Sequence, residues 1–274
     1  MSLPAPGSNL TVLVTGASAG IGTELARGLA ARGYGLDLVA RRRDRLSALA
    51  EELRTARGVD VQVHTADLST PRARKRLIAK LAERDGFVAG LCNNAGFGSF
   101  GRFQSLPIER EMEEVQLNVT AVHELTGAFL PAMIERGTGA VLNVGSIAGA
   151  QPLPGNATYA ATKAFVNSFS EALHLDLAGT GVSSTLLAPG PVSTEFGEQA
   201  GVGDQEQQLP GFLLASAAEV AEEGIEGMLR GKRSVVPGIG PKVMSTGGRF
   251  APRSVLLPVT SKLLGRQFGG DGLP

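Results

Sequence analysis

The sequence has a single cysteine, Cys92, three histidines and no net charge, with 26 basic residues against 26 acidic ones. A lone thiol closes no internal disulfide, which fits a reducing compartment. The zero balance leaves no electrostatic footprint for nucleic acid. No apolar run reaches the ~18 residues of a membrane-spanning helix. Met1 to Asn9 is polar and rich in Pro and Gly, without the charged start and apolar stretch of a signal peptide, so the cytoplasm is the expected location. His64, His123 and His174 match no motif. They are expected to be structural or surface residues, and no metal site is expected.

What the chain does have is glycine, 37 of 274 residues, and an apolar fraction of 43%. That composition belongs to a globular fold with many tight turns or close backbone approaches. Short β-type runs alternate with longer helical patterns. Strands are expected at 10–15, 36–40, 59–64, 88–92, 140–144, 182–187 and 234–236. Helices are expected at 21–32, 43–57, 71–84, 107–136 (as one or two), 156–177 and 217–229. The alternation predicts an α/β fold, a doubly wound parallel sheet of about seven strands with helices on both faces. Nearly all strand residues are apolar, as both faces are covered. No repeat or linker divides the chain, so residues 1–274 read as one domain. Residues 195–215 read as a substrate loop and 239–274 as a C-terminal extension.

The first strand runs into Thr15-Gly16-Ala17-Ser18-Ala19-Gly20-Ile21-Gly22. Gly16 permits a tight turn, Gly20 lets backbone approach a pyrophosphate, and Gly22 lets helix and strand pack closely. The helix start offers free N–H groups and a positive dipole end to phosphate, which puts Ser18 and Ile21 in the same cofactor-facing set. The TGxxxGxG spacing resembles that of the short-chain dehydrogenase/reductase family, a single-domain Rossmann-type branch with YxxxK, and the resemblance runs to about Gly240.

The end of the second strand bears on the cofactor. An acid there would hold the ribose 2′-hydroxyl of NAD. Here Ala40 takes that place and Arg41, Arg42 and Arg43 follow. Guanidinium groups suit a 2′-phosphate, and three arginines at a helix start are unfavourable against its dipole unless an anion compensates. NADP(H) is therefore expected over NAD(H). The resemblance implies that Asp67 meets the adenine amino group, with membership of the next helix cap as the alternative. It also implies that Asn93-Asn94-Ala95-Gly96 packs beside the adenosine ribose and steadies the sheet, so Asn94, Ala95 and Gly96 join the set. Cys92 reads as a buried core thiol.

Tyr159 and Lys163 stand four apart in a helix, on one face, and Ser146 ends a strand thirteen residues earlier. Reducing a carbonyl needs a hydride on carbon and a proton on oxygen. A free tyrosine, with a pKa of ~10, is too weak an acid to exchange protons near neutrality. A nearby ammonium lowers that value. Tyr159 is then the proton donor in reduction and Lys163 its modulator, while the Ser146 hydroxyl stabilises charge on the substrate oxygen. By resemblance Lys163 also orients the nicotinamide ribose, and Asn118 holds a water chain to Lys163. Asn is a poor helix-interior residue, so a local kink is expected at 118. Pro189-Gly190-Pro191-Val192-Ser193-Thr194 resembles the family's PG motif. Pro189, Gly190, Val192 and Thr194 would then lie against the nicotinamide carboxamide.

The expected substrate is a small-molecule carbonyl or alcohol. Phe97, Phe100 and Phe103 on one rim, and Phe196, Leu209, Phe212, Leu213 and Leu214 on the other, suit a hydrophobic one: a 3-oxoacyl thioester or a lipid or steroid ketone. Ordinary lid packing stays open beside that reading. The stretch from Gly227 to Gly270 carries eight basic residues and no acid. Lys242, Arg249, Arg253, Lys262 and Arg266 are mixed there with leucines and valines. Such a stretch can lie on an anionic membrane surface, pack on the body or a partner subunit, or receive an acidic carrier protein. Pro252 and Pro258 argue against one continuous helix. The resemblance implies a homodimer or homotetramer. The rival functions are a catalytically silent NADP(H) sensor or scaffold and an extended-type lyase or epimerase.

Overall fold

The computed structural model describes residues 3–83, 85–193, 195, 214–250, 252–254 and 257–258. The apolar runs become parallel strands: β1 (Leu10–Thr15), β2 (Gly35–Ala40), β3 (Val61–Thr65), β4 (Phe87–Asn93), β5 (Gly139–Val144) and β6 (Val182–Leu187). The amphipathic segments between them become α1 (Gly20–Ala31), α2 (Arg43–Arg57), α3 (Pro71–Ala82), α4 (Ile108–Val115), α5 (Val122–Glu135) and α6 (Ala157–Asp176). After β6 come two short strands, β7 (Val192–Ser193) and β8 (Ala215–Ser216), then α7 (Ala217–Leu229), β9 (Ser234–Val235) and α8 (Ile239–Phe250).

The main sheet has seven strands in the order β3-β2-β1-β4-β5-β6-β9, all parallel. Successive residues of a strand point to opposite faces. Val12 and Val14 therefore join the core under α1, α2 and α7, with Leu25, Leu46 and Ile225. Leu13 joins the opposite core under α3, α5 and α6, with Leu77, Leu125 and Leu173. The strand order reverses between β1 and β4, and in such sheets a crevice opens there at the C-terminal strand ends.

The strands are less uniformly apolar than expected. Asp37, in the middle of β2, is fully buried. Its carboxylate accepts from Thr11 Oγ1 at 2.6 Å and meets His64 Nε2 at 2.8 Å, across three adjacent strands. A buried charge persists only when it is paired in this way. The expected helix over 107–136 is one continuous rod with a π-helical turn at Gln116–Ala121, between α4 and α5. Asn118 lies in that turn, so the expected irregularity is a local widening, a form common at functional sites. Arg74 of α3, 2% exposed, braces the turn. It donates to the carbonyls of Leu68 and Ser69, to Gln116 Oε1 and to Glu124 at 2.6 Å.

β7 and β8 pair in parallel, Val192 with Ala215 and Ser193 with Ser216. That small sheet, absent from the sequence reading, draws together the two ends of the expected substrate loop; residues 196–213 of the loop lie outside the described residues. Pro241 of α8 packs on Gly190, and Gly248 on Gln151. This part of the C-terminal stretch therefore lies on the body, while Lys262 and Arg266 fall outside the described residues.

Candidate active site

The glycine loop at the end of β1 takes the conformations that the glycines permit. Gly16 has φ +69° and Gly20 φ +54°, left-handed values that cost other residues free energy. A Cβ on Gly22 would stand 2.3 Å from Gly16 O, so helix and strand touch backbone to backbone. Helix α1 has no side-chain cap and no acid in its first turn. Its first N–H groups are thus left to an anion, which fits a pyrophosphate. Asn94 pins this loop, with Nδ2 donating to Thr15 O at 2.9 Å, while Thr15 Oγ1 accepts from the amides of Asn94 and Ala95.

At the end of β2, Arg41 is exposed and Arg42 half-buried. Arg42 reaches back to the glycine loop, donating from Nε to Ser18 Oγ at 3.3 Å and from Nη2 to Ser18 O at 3.2 Å. Arg42 and the glycine loop therefore form one cationic corner, with Arg41 next to it along the chain, and that fits a phosphorylated ribose. Asp67, next to it along the strand ends, accepts from Ser69 N and Oγ at 3.1 and 2.7 Å. The cap position of α3 belongs to Thr70.

The other half of the crevice is built on α6, β5 and the π turn. Lys163 is 6% exposed and donates to Val144 O at 2.8 Å. Its Nζ lies 5.7 Å from the Tyr159 ring centroid. Burial pushes Lys163 down to about 8, with the Glu114 carboxyl pulling the other way. Asn118 exchanges hydrogen bonds with the backbone of Phe97, at 2.8 and 3.2 Å, and donates to Thr162 Oγ1 at 3.1 Å. Gly96 separates Asn118 from Lys163: a Cβ there would meet Asn118 Oδ1 at 2.9 Å and Lys163 Nζ at 3.6 Å. Asn118 and Lys163 thus converge on the NNAG segment. Ser146, two residues past the end of β5, has its Oγ accepting from Ala148 N at 3.0 Å and donating to Pro189 O at 3.5 Å. Val192 is buried in β7, whereas Thr194 falls outside the described residues.

Phe97 is buried beneath the Arg110 guanidinium, and Phe103 is 54% exposed. A cleft of about 430 Å³ runs along another face of α6 from that of Tyr159 and Lys163, lined by Pro152, Leu153, Pro154, Ala157, Ala160 and Arg253. Cys92 is fully buried, and that burial pushes its thiol up to about 12.

Three residues at this site escaped the sequence reading. Glu114 of α4 is fully buried against Ser99, with neither carboxyl oxygen closing a hydrogen bond. Its only advance signal was an acid on the inward face of a helix, four residues before Asn118. Glu195 and Arg45 meet Arg42 in an ion-pair cluster, for which the sequence carries no local signal.

The family model described as short chain dehydrogenase matches residues 10–204. Sulfoacetaldehyde reductase 2 of Chromohalobacter salexigens is 41% identical over 198 residues, 71% of this chain and 77% of that protein. A short-chain dehydrogenase from Sphingobium yanoikuyae, solved in complex with NADPH, superimposes with a TM-score of 0.79 at 34% identity, covering 90% of this chain and 95% of the other. A bulky-bulky ketone specific alcohol dehydrogenase from Comamonas testosteroni superimposes with a TM-score of 0.74 at 28% identity over 97% of each chain.

Proposed function

The chain belongs to the short-chain dehydrogenase/reductase family, an NAD(P)-dependent class interconverting carbonyls and alcohols, and from that premise we propose that it is an NADP(H)-preferring reductase of hydrophobic carbonyls with Tyr159 as proton donor. One observation carries the reading: the Tyr159 ring stands 5.7 Å from a buried lysine ammonium. A positive charge held there by Val144 O, and favoured by the Glu114 carboxyl against the cost of burial, stabilises the phenolate. A bound NADPH supplies the hydride for carbonyl reduction. The side chains do the rest. Tyr159 Oη delivers the proton to the substrate oxygen, and Lys163 keeps that hydroxyl acidic. Ser146 Oγ donates to the same oxygen as charge develops on it; its neighbours, Ala148 N and Pro189 O, hold it at the strand end. Asn118 fixes the Phe97 backbone, just after the NNAG segment, beside Lys163.

The preference for NADP(H) rests on the cationic corner of Arg41 and Arg42, and the NADPH complex of the Sphingobium relative is consistent with it. The likeness to a bulky-ketone enzyme supports a hydrophobic substrate. The sulfoacetaldehyde reductase pulls the other way, toward a small polar aldehyde. Exposed Ile108 and Met112 on α4 and Phe165 on α6 offer apolar contact for a homodimer or homotetramer.

The test follows oxidation of NADPH and of NADH by absorbance against long-chain 3-oxoacyl thioesters, steroid ketones and small polar aldehydes including sulfoacetaldehyde. Faster turnover of the bulky carbonyls with NADPH is expected. Better turnover of the small aldehydes would overturn the substrate class, and better turnover with NADH the cofactor preference. Tight NADPH binding with no turnover would leave the sensor reading. Gly22→Ala offers an independent check on the nucleotide site. Its methyl meets Gly16 O at 2.3 Å and the Asn94 amide that pins the loop at 2.5 Å, so NADPH binding is expected to weaken roughly tenfold or more. Unchanged titration of nicotinamide fluorescence by the variant would place the pyrophosphate elsewhere.

A further inference from the structure

The guanidinium of Arg42 is already in use. Its Nε and Nη2 bind Ser18, and its Nη1 donates to Glu195 Oε2 at 2.8 Å. The second oxygen of Glu195 takes Arg45 Nη1 at 2.5 Å. Glu195 stands 153 residues further along the chain, just beyond β7. Both arginines hold its carboxyl below the usual carboxylate range, Arg42 first. One carboxylate thus sits where the β2 end gathers its positive charge, beside the glycine loop.

A 2′-phosphate placed on this corner carries about two negative charges. It repels a carboxylate on the same guanidinium, and the Nη1 edge of Arg42 cannot face both. NADH brings no such charge. We propose that Glu195 is an internal competitor for the 2′-phosphate of NADP(H), a residue that lowers affinity for the phosphorylated cofactor selectively and so sets the margin of preference over NAD(H). This rests on the cofactor reading given above and extends it to a residue outside the β2 end. The three side chains are each about a third or more exposed, 34%, 37% and 46% for Arg42, Glu195 and Arg45. Water screens the competition, and the effect is a several-fold one, not a switch.

The experiment compares wild type with Glu195→Gln, which keeps the shape and removes the charge. Calorimetric titrations use 2′-AMP and 5′-AMP, and fluorescence titrations use NADPH and NADH. Glu195→Gln is expected to bind NADPH and 2′-AMP roughly three- to ten-fold tighter, with NADH and 5′-AMP unchanged and the gain shrinking at high salt. Unchanged or weaker binding of 2′-AMP by the variant would overturn the proposal, because Glu195 would then be idle or would be holding Arg42 in place for the phosphate. Equal tightening of all four ligands would overturn it too. A wild type that binds NADPH no better than NADH, in which Glu195→Gln acquires a preference, would sink the cofactor reading while upholding the competition.

Discussion

Tyr159→Phe is expected to lower kcat/KM for carbonyl reduction by about two to four orders of magnitude, the usual worth of a positioned proton donor, while NADPH binding changes by less than about twofold. The ring keeps its place over Lys163, 5.7 Å from the ammonium, so packing and cofactor contacts survive and only the transferable proton is lost. Lys163→Met removes more. The buried ammonium supports the acidity of the phenol, and it also lies beside Gly96 and donates to Val144 O. That variant is expected to lose both turnover and part of its NADPH affinity. Steady-state rates with saturating NADPH, together with fluorescence titration of the cofactor, separate the two patterns. A Tyr159→Phe enzyme retaining a tenth or more of wild-type turnover would show that another group protonates the product.

The parts of this site that could be read from the sequence are those whose chemistry is local. Gly16 and Gly20 announce themselves because only glycine takes their backbone angles cheaply. Gly22 does so because a methyl has no room beside Gly16 O. Tyr159 and Lys163 do so because a helix brings i and i+4 together. The irregularity at Asn118 was legible as a poor helix former, though not as a π turn, because Arg74, which donates to Gln116 within the turn, arrives from α3. Asp37 was read as one more residue of an apolar strand. Its partner His64 belongs to β3, and nothing in the spacing of 37 and 64 marks them as neighbours before the sheet is assembled. The same holds for Glu195 and Arg42. Helix α8 was hidden for a different reason. It contains Pro241, Gly247 and Gly248, poor helix formers whose cost is offset by packing on Gly190 and Gln151.

Glu114→Gln is expected to abolish a pH dependence of stability that the wild type carries between about pH 4.5 and 7. Burial pushes the Glu114 carboxyl up from its ordinary 4.5 to about 7. Lys163 draws it down and Glu111 pushes it further up, but burial dominates. The carboxyl is fully buried, and neither oxygen has a hydrogen-bond partner. The folded chain therefore holds this proton more tightly than the unfolded chain does. Its stabilising contribution is complete below 4.5 and is lost as pH rises through 7. A rise of this size corresponds to about 3 kcal/mol across that window. Glutamine fills the same space without titrating. Urea unfolding at a series of pH values is expected to give curves that agree near pH 4 and diverge toward pH 8, where the variant is the more stable by about 1–3 kcal/mol. The loss of the Glu114 charge also leaves Lys163 without the carboxylate that favours its ammonium. The alkaline fall in kcat/KM then moves to lower pH in the variant. Parallel stability curves for the two proteins would mean that Glu114 is solvated in the fold, and an unmoved alkaline limb would mean that it is uncoupled from Lys163.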